Sequence, residues 1–294
     1  MKDDIRFHAL PVHGIEAMRA TSQRSFPRHT HDQYGIGMVD VGKHVSWSDR
    51  GQVEAGPRSF ISVNPGEVHD GQAAGGCRRS WRILYFSPGE IAALCSDIRD
   101  GAQSELMFSA PVFEDRRLRP VFDAAFSHCL GREEHGSVAC ETDVLGLIAG
   151  LLNHSSARST RDDSLTGCIR RARQMIDDDP ARPITLAWLA SEAGLSKYRL
   201  LRSFSRELGL TPHAYILQRR IACAQRLIRG GRGLAEAALA AGFYDQSHLT
   251  RCFVRQLGVT PRGYAEGSLR RGEVLRNRPA TATRHLVEIH SDAT

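Results

Sequence analysis

The feature that most constrains this 294-residue chain is an internal repeat. Residues 185–215 read TLAWLASEAGLSKYRLLRSFSRELGLTPHAY, and residues 233–264 read GLAEAALAAGFYDQSHLTRCFVRQLGVTPRGY. At an offset of 48, Leu186, Ala187, Ala190, Ala193 and Gly194 match Leu234, Ala235, Ala238, Ala241 and Gly242. One residue is then inserted. At an offset of 49, Leu200, Arg202, Phe204, Arg206, Leu208, Gly209, Thr211, Pro212 and Tyr215 match Leu249, Arg251, Phe253, Arg255, Leu257, Gly258, Thr260, Pro261 and Tyr264. A repeat of this length means one supersecondary unit used twice.

Each unit has the chemistry of a helix-turn-helix, over about 185–208 and 234–257. A short alanine-rich helix comes first, and small residues such as Ala190 and Ala238 let a second helix cross it closely. Gly194 and Gly242 stand where the first helix must stop, because glycine enters the left-handed conformation at little cost. Ser196 and Asp245 then stand where a cap is needed for the next helix. That helix has two faces. Leu200, Phe204 and Leu208 recur at i, i+4, i+8, as do Leu249, Phe253 and Leu257, and these stripes face a core. Arg199, Arg202 and Arg206 form a separate cationic stripe in the first unit, and His248, Arg251 and Arg255 one in the second. A polar, cationic stripe on the second helix is what reading a major groove requires. The candidate DNA-contacting residues are Lys197, Tyr198, Arg199, Arg202 and Arg206, with Gln246, Ser247, His248, Arg251 and Arg255. The second set is richer in hydrogen-bonding groups, so base readout is expected mainly there and phosphate contact mainly from the first.

Both units end in Gly-x-Thr-Pro, with Thr as N-cap and Pro as first helical residue. A helix is therefore expected from Pro212 to about Arg229, joining the units. Two recognition helices held apart by one stiff helix are expected to enter successive major grooves on one face of the duplex. The charge distribution agrees. Residues 161–294 hold 22 Lys and Arg against 13 Asp and Glu, whereas residues 1–160 hold 17 against 20. A basic half joined to a mildly acidic one points to one half meeting a polyanion.

The first 86 residues read as β. Short runs such as Tyr34–Val41, His44–Trp47, Ser59–Val63 and Trp81–Phe86 are punctuated by Gly, Pro, Asn and Asp, as in a small sandwich or barrel. From Pro88 the period becomes helical, with an amphipathic helix over Leu118–Leu130 and a second over about Val138–Leu152. The domains expected are 1–156, a polar linker at 157–165, a helical domain at 166–267, and a basic flexible tail at 268–294. The seven cysteines are scattered and odd in number with no CxxC pair, so reduced thiols in a cytoplasm are expected rather than a disulfide framework or structural zinc. No run approaches the roughly 20 apolar residues of a membrane span, and no signal-peptide core is seen.

Over about 166–266 the chain resembles the AraC/XylS family of bacterial regulators, on LASEAGLSKYRLLRSFSRELGLTPHAYI and ALAAGFYDQSHLTRCFVRQLGVTPRGY. The resemblance implies a seven-helix DNA-binding domain whose base-reading positions fall on the residues above. Leu201, where a polar residue often sits, is a departure. The N-terminal half is similar to that family's cupin-like sensor domain, on Arg28-His-Thr-His-Asp, Tyr34-Gly-Ile-Gly, Arg50-Gly and Asn64-Pro-Gly-Glu-Val-His69-Asp-Gly. That implies a mainly β, cupin-like barrel that binds a small effector, followed by helices that pair two subunits.

Candidate effector residues are Arg28, His29, His31, Tyr34, His69 and Trp81, with Trp47 and Tyr85 as further aromatic linings. Arg28 suits a carboxylate through a bidentate bond. His29 and His31, two apart on an extended segment, point the same way. They and His69 are the candidates for a metal, although the Glu that follows the HxH pair in enzymatic cupins is missing. Neither a bound metal nor any other cofactor is expected, nor any catalytic residue. No P-loop, nucleophile elbow or dinucleotide fingerprint occurs, and Gly35-x-Gly37 is too short for one. The reading is a cytoplasmic, effector-responsive activator that binds double-stranded DNA as a homodimer, with RNA polymerase as a candidate partner. The alternative is a metal-dependent cupin enzyme that uses its C-terminal half to dock on DNA.

Overall fold

The computed structural model describes residues 3–9, 14–48, 51–98, 106–130, 136–155 and 166–269. The expected linker at 157–165 lies outside the described residues, as does the expected tail beyond its first two positions.

Among the described residues the N-terminal half carries ten strands: β1 Asp4–Ala9, β2 Ile15–Ser22, β3 Phe26–His29, β4 Tyr34–Val41, β5 His44–Ser48, β6 Gly51–Ala55, β7 Phe60–Val63, β8 His69–Ala73, β9 Arg79–Phe86 and β10 Val112–Phe113. They form a six-stranded sheet ordered β1-β2-β9-β4-β7-β10 and a four-stranded sheet ordered β3-β8-β5-β6. The strand pairs are antiparallel. Alternation along β9 decides the packing, because successive side chains leave opposite faces of a strand. Leu84 and Phe86 join Ile36, Phe60, Phe122 and Phe126 in a core beneath the helices α1 Pro88–Ile98, α2 Leu118–Leu130 and α3 Gly136–Leu151. Trp81, Ile83 and Tyr85 point the other way, into the space between the sheets. Gly35 and Gly37 of β4 sit opposite Tyr85 and Ile83. A Cβ on Gly37 would lie 2.6 Å from an Ile83 methylene carbon. This pair of glycines is therefore a packing device that lets β9 send large side chains inward.

One expectation about cysteines is corrected. Cys129 at the end of α2 and Cys140 in α3 form a disulfide. The packing of α2 against α3 brings these two positions, 11 apart in sequence, together although no sequence pattern marks them. The other five cysteines form no disulfide among the described residues.

Among the described residues the C-terminal half is all α: α4 Gly167–Asp178, α5 Leu186–Glu192, α6 Lys197–Leu208, α7 Pro212–Arg229, α8 Leu234–Ala240, α9 Gln246–Leu257 and α10 Pro261–Leu269. The two expected helix-turn-helix units are α5–α6 and α8–α9, and the expected joining helix is α7, with the stated bounds. Caps fix the ends. The side chains of Thr185, Ser196, Thr211 and Asp245 accept from the backbone N–H three residues on, and Pro212 opens α7. Gly209 and Gly258 end α6 and α9 in the left-handed conformation, at φ of 72° and 74°. No helix among the described residues is long and apolar enough to cross a membrane.

The two halves share a core. Phe7, Met18, Trp81, Ile83 and Tyr85 pack with Ile221, Phe243, Leu249, Phe253 and Tyr264. Phe7 meets Tyr264 edge-on at 5.3 Å between ring centroids.

Candidate nucleic-acid interface and effector chamber

The repeat builds two recognition helices of the same design. In α6, Leu200, Phe204 and Leu208 are buried, and in α9, Leu249 and Phe253 are completely so. The opposite faces are open. Lys197, Tyr198, Arg199, Leu201, Arg202 and Arg206 are all exposed on α6. On α9, Gln246, Ser247, Arg251 and Arg255 are exposed, and His248 is half-buried with its ring edge-on to Phe243 at 5.3 Å. Leu201 aside, these are the ten DNA-contact candidates, and among the described residues only Arg206 of them has a side-chain ion pair, with its neighbour Glu207. Tyr244, 86% exposed just ahead of the α9 cap, joins the same surface and was not among the sequence candidates. An aromatic residue in a turn carries no periodic signal that would have singled it out.

The other end of α9 faces the β domain. Its last residues, Gln256 and Leu257, line the cavity between the two sheets, together with Phe7, Trp81, Ile83 and Tyr85. A second chamber, between the β domain and α7, shares His29, His31, Tyr85, Gln256 and Leu257 with the first. The two are neighbouring spaces, of about 100 and 240 Å³.

Of the effector candidates, His29, His31, His69 and Trp81 line the cavity between the sheets. Arg28 is not brought there. It lies exposed with its guanidinium over the outward-facing Trp47 ring, 5.8 Å from the centroid, because strand alternation turns residue 28 away when residue 29 points in. Tyr34 is buried on the helix side of β4, against Phe108. His44, which the sequence candidates omitted, also lines the cavity, and Arg79 lies behind it, against His44, Gly71 and Trp81. Arg79 is almost wholly buried. It donates to Nδ1 of His44 at 3.0 Å and to the carbonyls of Arg24 and Gly71, and it lies 4.7 Å over the Trp81 ring. Burial pulls its pKa down to about 10. Inward parity from Trp81 back to residue 79 is a signal that would have found it. Nothing in the sequence marks His44.

Four imidazoles crowd this space, and burial is the main reason that all four have lowered pKa values. His31 and His44 fall to about 3, and His29 and His69 fall as well. Mutual repulsion adds to the effect at His31 and His69, and Arg79 and His29 add to it at His44. All are neutral at pH 7. His29, His31 and His69 each offer one ring nitrogen, all within 4.8 Å of one another, a set that can hold a metal ion.

The segment bearing His29 and His31 also touches the helix between the two helix-turn-helix units. The Gln218 side chain of α7 accepts from the Thr30 N–H at 2.8 Å and donates to the Arg28 carbonyl at 3.1 Å. Arg219 pairs with Asp32 and, at 2.8 Å, with Asp177. Nearly three helical turns further on, Arg229 reaches the buried Glu16 at 3.4 Å. Burial outweighs that cation and raises the Glu16 pKa.

Residues 12–148 match the AraC-like ligand binding domain and residues 189–267 match a helix-turn-helix domain. The HTH-type transcriptional regulator YbfI of Bacillus subtilis is 31% identical over 263 residues, covering 85% of this chain and 91% of that protein. This chain belongs to the AraC family of transcription regulators. The transcriptional activator RhaS of Klebsiella pneumoniae, also aligned over both domains, is 22% identical over 83% of this chain and 89% of its own. Among solved structures, ToxT of Vibrio cholerae superimposes with a TM-score of 0.52 at 14% identity, over 86% of this chain and 98% of ToxT. That likeness concerns the fold, a β-rich domain followed by a helical one. As an AraC-family regulator, the chain pairs a DNA-binding domain with a ligand-binding domain.

Proposed function

We propose that this regulator is an activator that reads two successive major grooves with α6 and α9, and that a small molecule bound in the β domain tunes that reading. The observation that carries this is the pair of capped recognition helices, each with a buried apolar stripe and an exposed polar, cationic face. Lys197, Tyr198, Arg199, Arg202 and Arg206 are assigned mainly to phosphates and groove shape, and Gln246, Ser247, His248, Arg251 and Arg255 to bases as well. His29, His31, His69 and Trp81 line the effector chamber. An apolar cavity with a few convergent polar groups is the usual form of a small-molecule site. The activator sign is supported by the relative RhaS, which is named as one. A homodimer, an RNA polymerase contact and a cytoplasmic location complete the reading. No observation favours the enzyme alternative.

The test is footprinting of the full-length protein on its own upstream region. Protection is expected in successive major grooves on one face. Arg202→Ala and Arg251→Ala are each expected to weaken specific binding by about 1–3 kcal/mol, or roughly 5- to 150-fold. Affinity that is independent of sequence, or unchanged in the double variant, refutes the assignment.

A further inference from the structure

His29 and His31 lie two apart on and just after edge strand β3, and His69 is the direct cross-strand partner of His29 on β8. Ring centroids are 4.8 Å apart for His29 and His31, 4.4 Å for His29 and His69, and 5.1 Å for His31 and His69. Hydrophobic packing does not account for three imidazoles meeting between two sheets, and no hydrogen bond joins them among the described residues. Their outer nitrogens are instead tied back to the chain. Nδ1 of His29 lies 2.8 Å from the Pro27 carbonyl, and Nδ1 of His69 lies 3.2 Å from the Glu67 carbonyl. A carbonyl only accepts, so each Nδ1 carries the proton and each Nε2 keeps its lone pair. This is the outer-shell arrangement that orients metal-ligating histidines. The His31 ring has no hydrogen-bond partner among the described residues.

We propose that His29, His31 and His69 form a transition-metal site inside the effector chamber, and that the ion's remaining coordination position faces the cavity and takes a donor atom of the effector. This rests on the reading of that cavity as the effector chamber. The ligand set is all neutral imidazole, with no thiolate among the three. It suits Zn²⁺, Co²⁺, Ni²⁺, Cu²⁺ or Fe²⁺ and not the oxygen-seeking Mg²⁺ or Ca²⁺. A tetrahedral ion with bonds of about 2.0–2.1 Å holds its ligand nitrogens roughly 3.4 Å apart. Starting from nitrogens within 4.8 Å, small side-chain rotations close the set. Three protein ligands leave a fourth position open, as in metal sites that bind exchangeable groups. The effector class is then a small molecule carrying an oxygen or nitrogen donor, such as a carboxylate or hydroxamate, on an apolar body that fits beside Trp81 and Ile83.

The experiment uses the full-length protein, stripped with a chelator and titrated with Zn²⁺ by calorimetry and with Co²⁺ by absorption spectroscopy. Binding of one equivalent is expected, with a Co²⁺ spectrum of the intense four- or five-coordinate type. Affinity is expected to fall by more than about 100-fold in His31→Ala and in His69→Ala, and to be unchanged in the surface variant His213→Ala. Absence of stoichiometric binding, or binding that survives both substitutions, overturns the proposal. If the alanine variants do not fold, the wild-type Co²⁺ spectrum decides: a weak, six-coordinate aquo-type spectrum overturns the site. Operator footprinting runs in parallel. A protein that binds its operator but no metal refutes this site and leaves the regulator reading standing. A protein that binds metal but no specific DNA refutes the regulator reading instead.

Discussion

The Arg79–His44 contact gives a pH dependence whose size follows from its geometry. Arg79 Nε donates to His44 Nδ1 at 3.0 Å, so His44 holds a lone pair there and is neutral in the folded protein. Burial first, then the Arg79 charge and His29, lower its pKa from 6.5 to about 3. In the unfolded chain the ring titrates near 6.5. Between these values the unfolded chain binds a proton that the folded protein refuses, so stability falls as pH drops below 6.5 and levels off only below about 3. At pH 5 the penalty from this one ring is about 2 kcal/mol, and at pH 7.5 it is near zero. The perturbation is His44→Gln, whose side-chain oxygen accepts from Arg79 without titrating. The assay is urea unfolding at pH 7.5 and 5.0 in a Trp188→Phe background, which leaves the emission of Trp47 and Trp81 to report on the β domain. Stability at pH 7.5 is expected to change little, while the loss between the two pH values shrinks by about 2 kcal/mol relative to the parent. The same loss in both proteins refutes the account of a neutral, arginine-bonded imidazole.

Two further expectations concern the junction of the halves. Gln218→Ala leaves the Thr30 N–H and the Arg28 carbonyl without their partner, which costs about 1–3 kcal/mol. Hydrogen exchange of residues 28–32 is expected to speed up, while α4 to α6 keep their protection. Gly258→Ala forces a left-handed residue, at roughly 1–2 kcal/mol, and sets its Cβ 2.5 Å from Ile5. It is expected to lower the melting temperature more than Gly194→Ala, which is equally left-handed but meets nothing within 4 Å.

The helical half was legible nearly residue by residue, and the reason is local. Ser196, Thr211 and Asp245 cap helices using groups three residues away, and Gly209 and Gly258 stop them, so the information lies within a few positions of each boundary. The β half was legible as a class only. The runs around β2, β4, β5, β7 and β9 stand out by their apolar residues. β1, β3, β6 and β8 carry sequences such as DIRFHA and HDGQA, whose strand state depends on partners far along the chain. The same limit governed the site. His29 and His31 announced their shared direction by spacing, whereas Arg28 and Tyr34, chosen for chemistry alone, belong to the opposite parity or the opposite face. Gln218 was invisible because its partners are backbone atoms 188 and 190 positions away.

That parity has a mechanical consequence. In the stretch 28–32, His29 and His31 face the chamber, while the Arg28 carbonyl, the Thr30 N–H and the Asp32 carboxylate face α7. One short segment is thus a wall of the cavity proposed for the effector and a seat for the helix that sets the spacing of the two recognition helices. A ligand that displaces the segment by even an ångström must stretch the Gln218 bonds or carry α7 with it. The chamber also ends on Gln256 and Leu257, the last residues of α9 itself. In the proposed reading, effector and DNA therefore meet the same rigid pieces from opposite ends. Any difference in effector affinity between the docked and undocked arrangements must return as an equal difference in DNA affinity, since coupling between two binding sites is reciprocal.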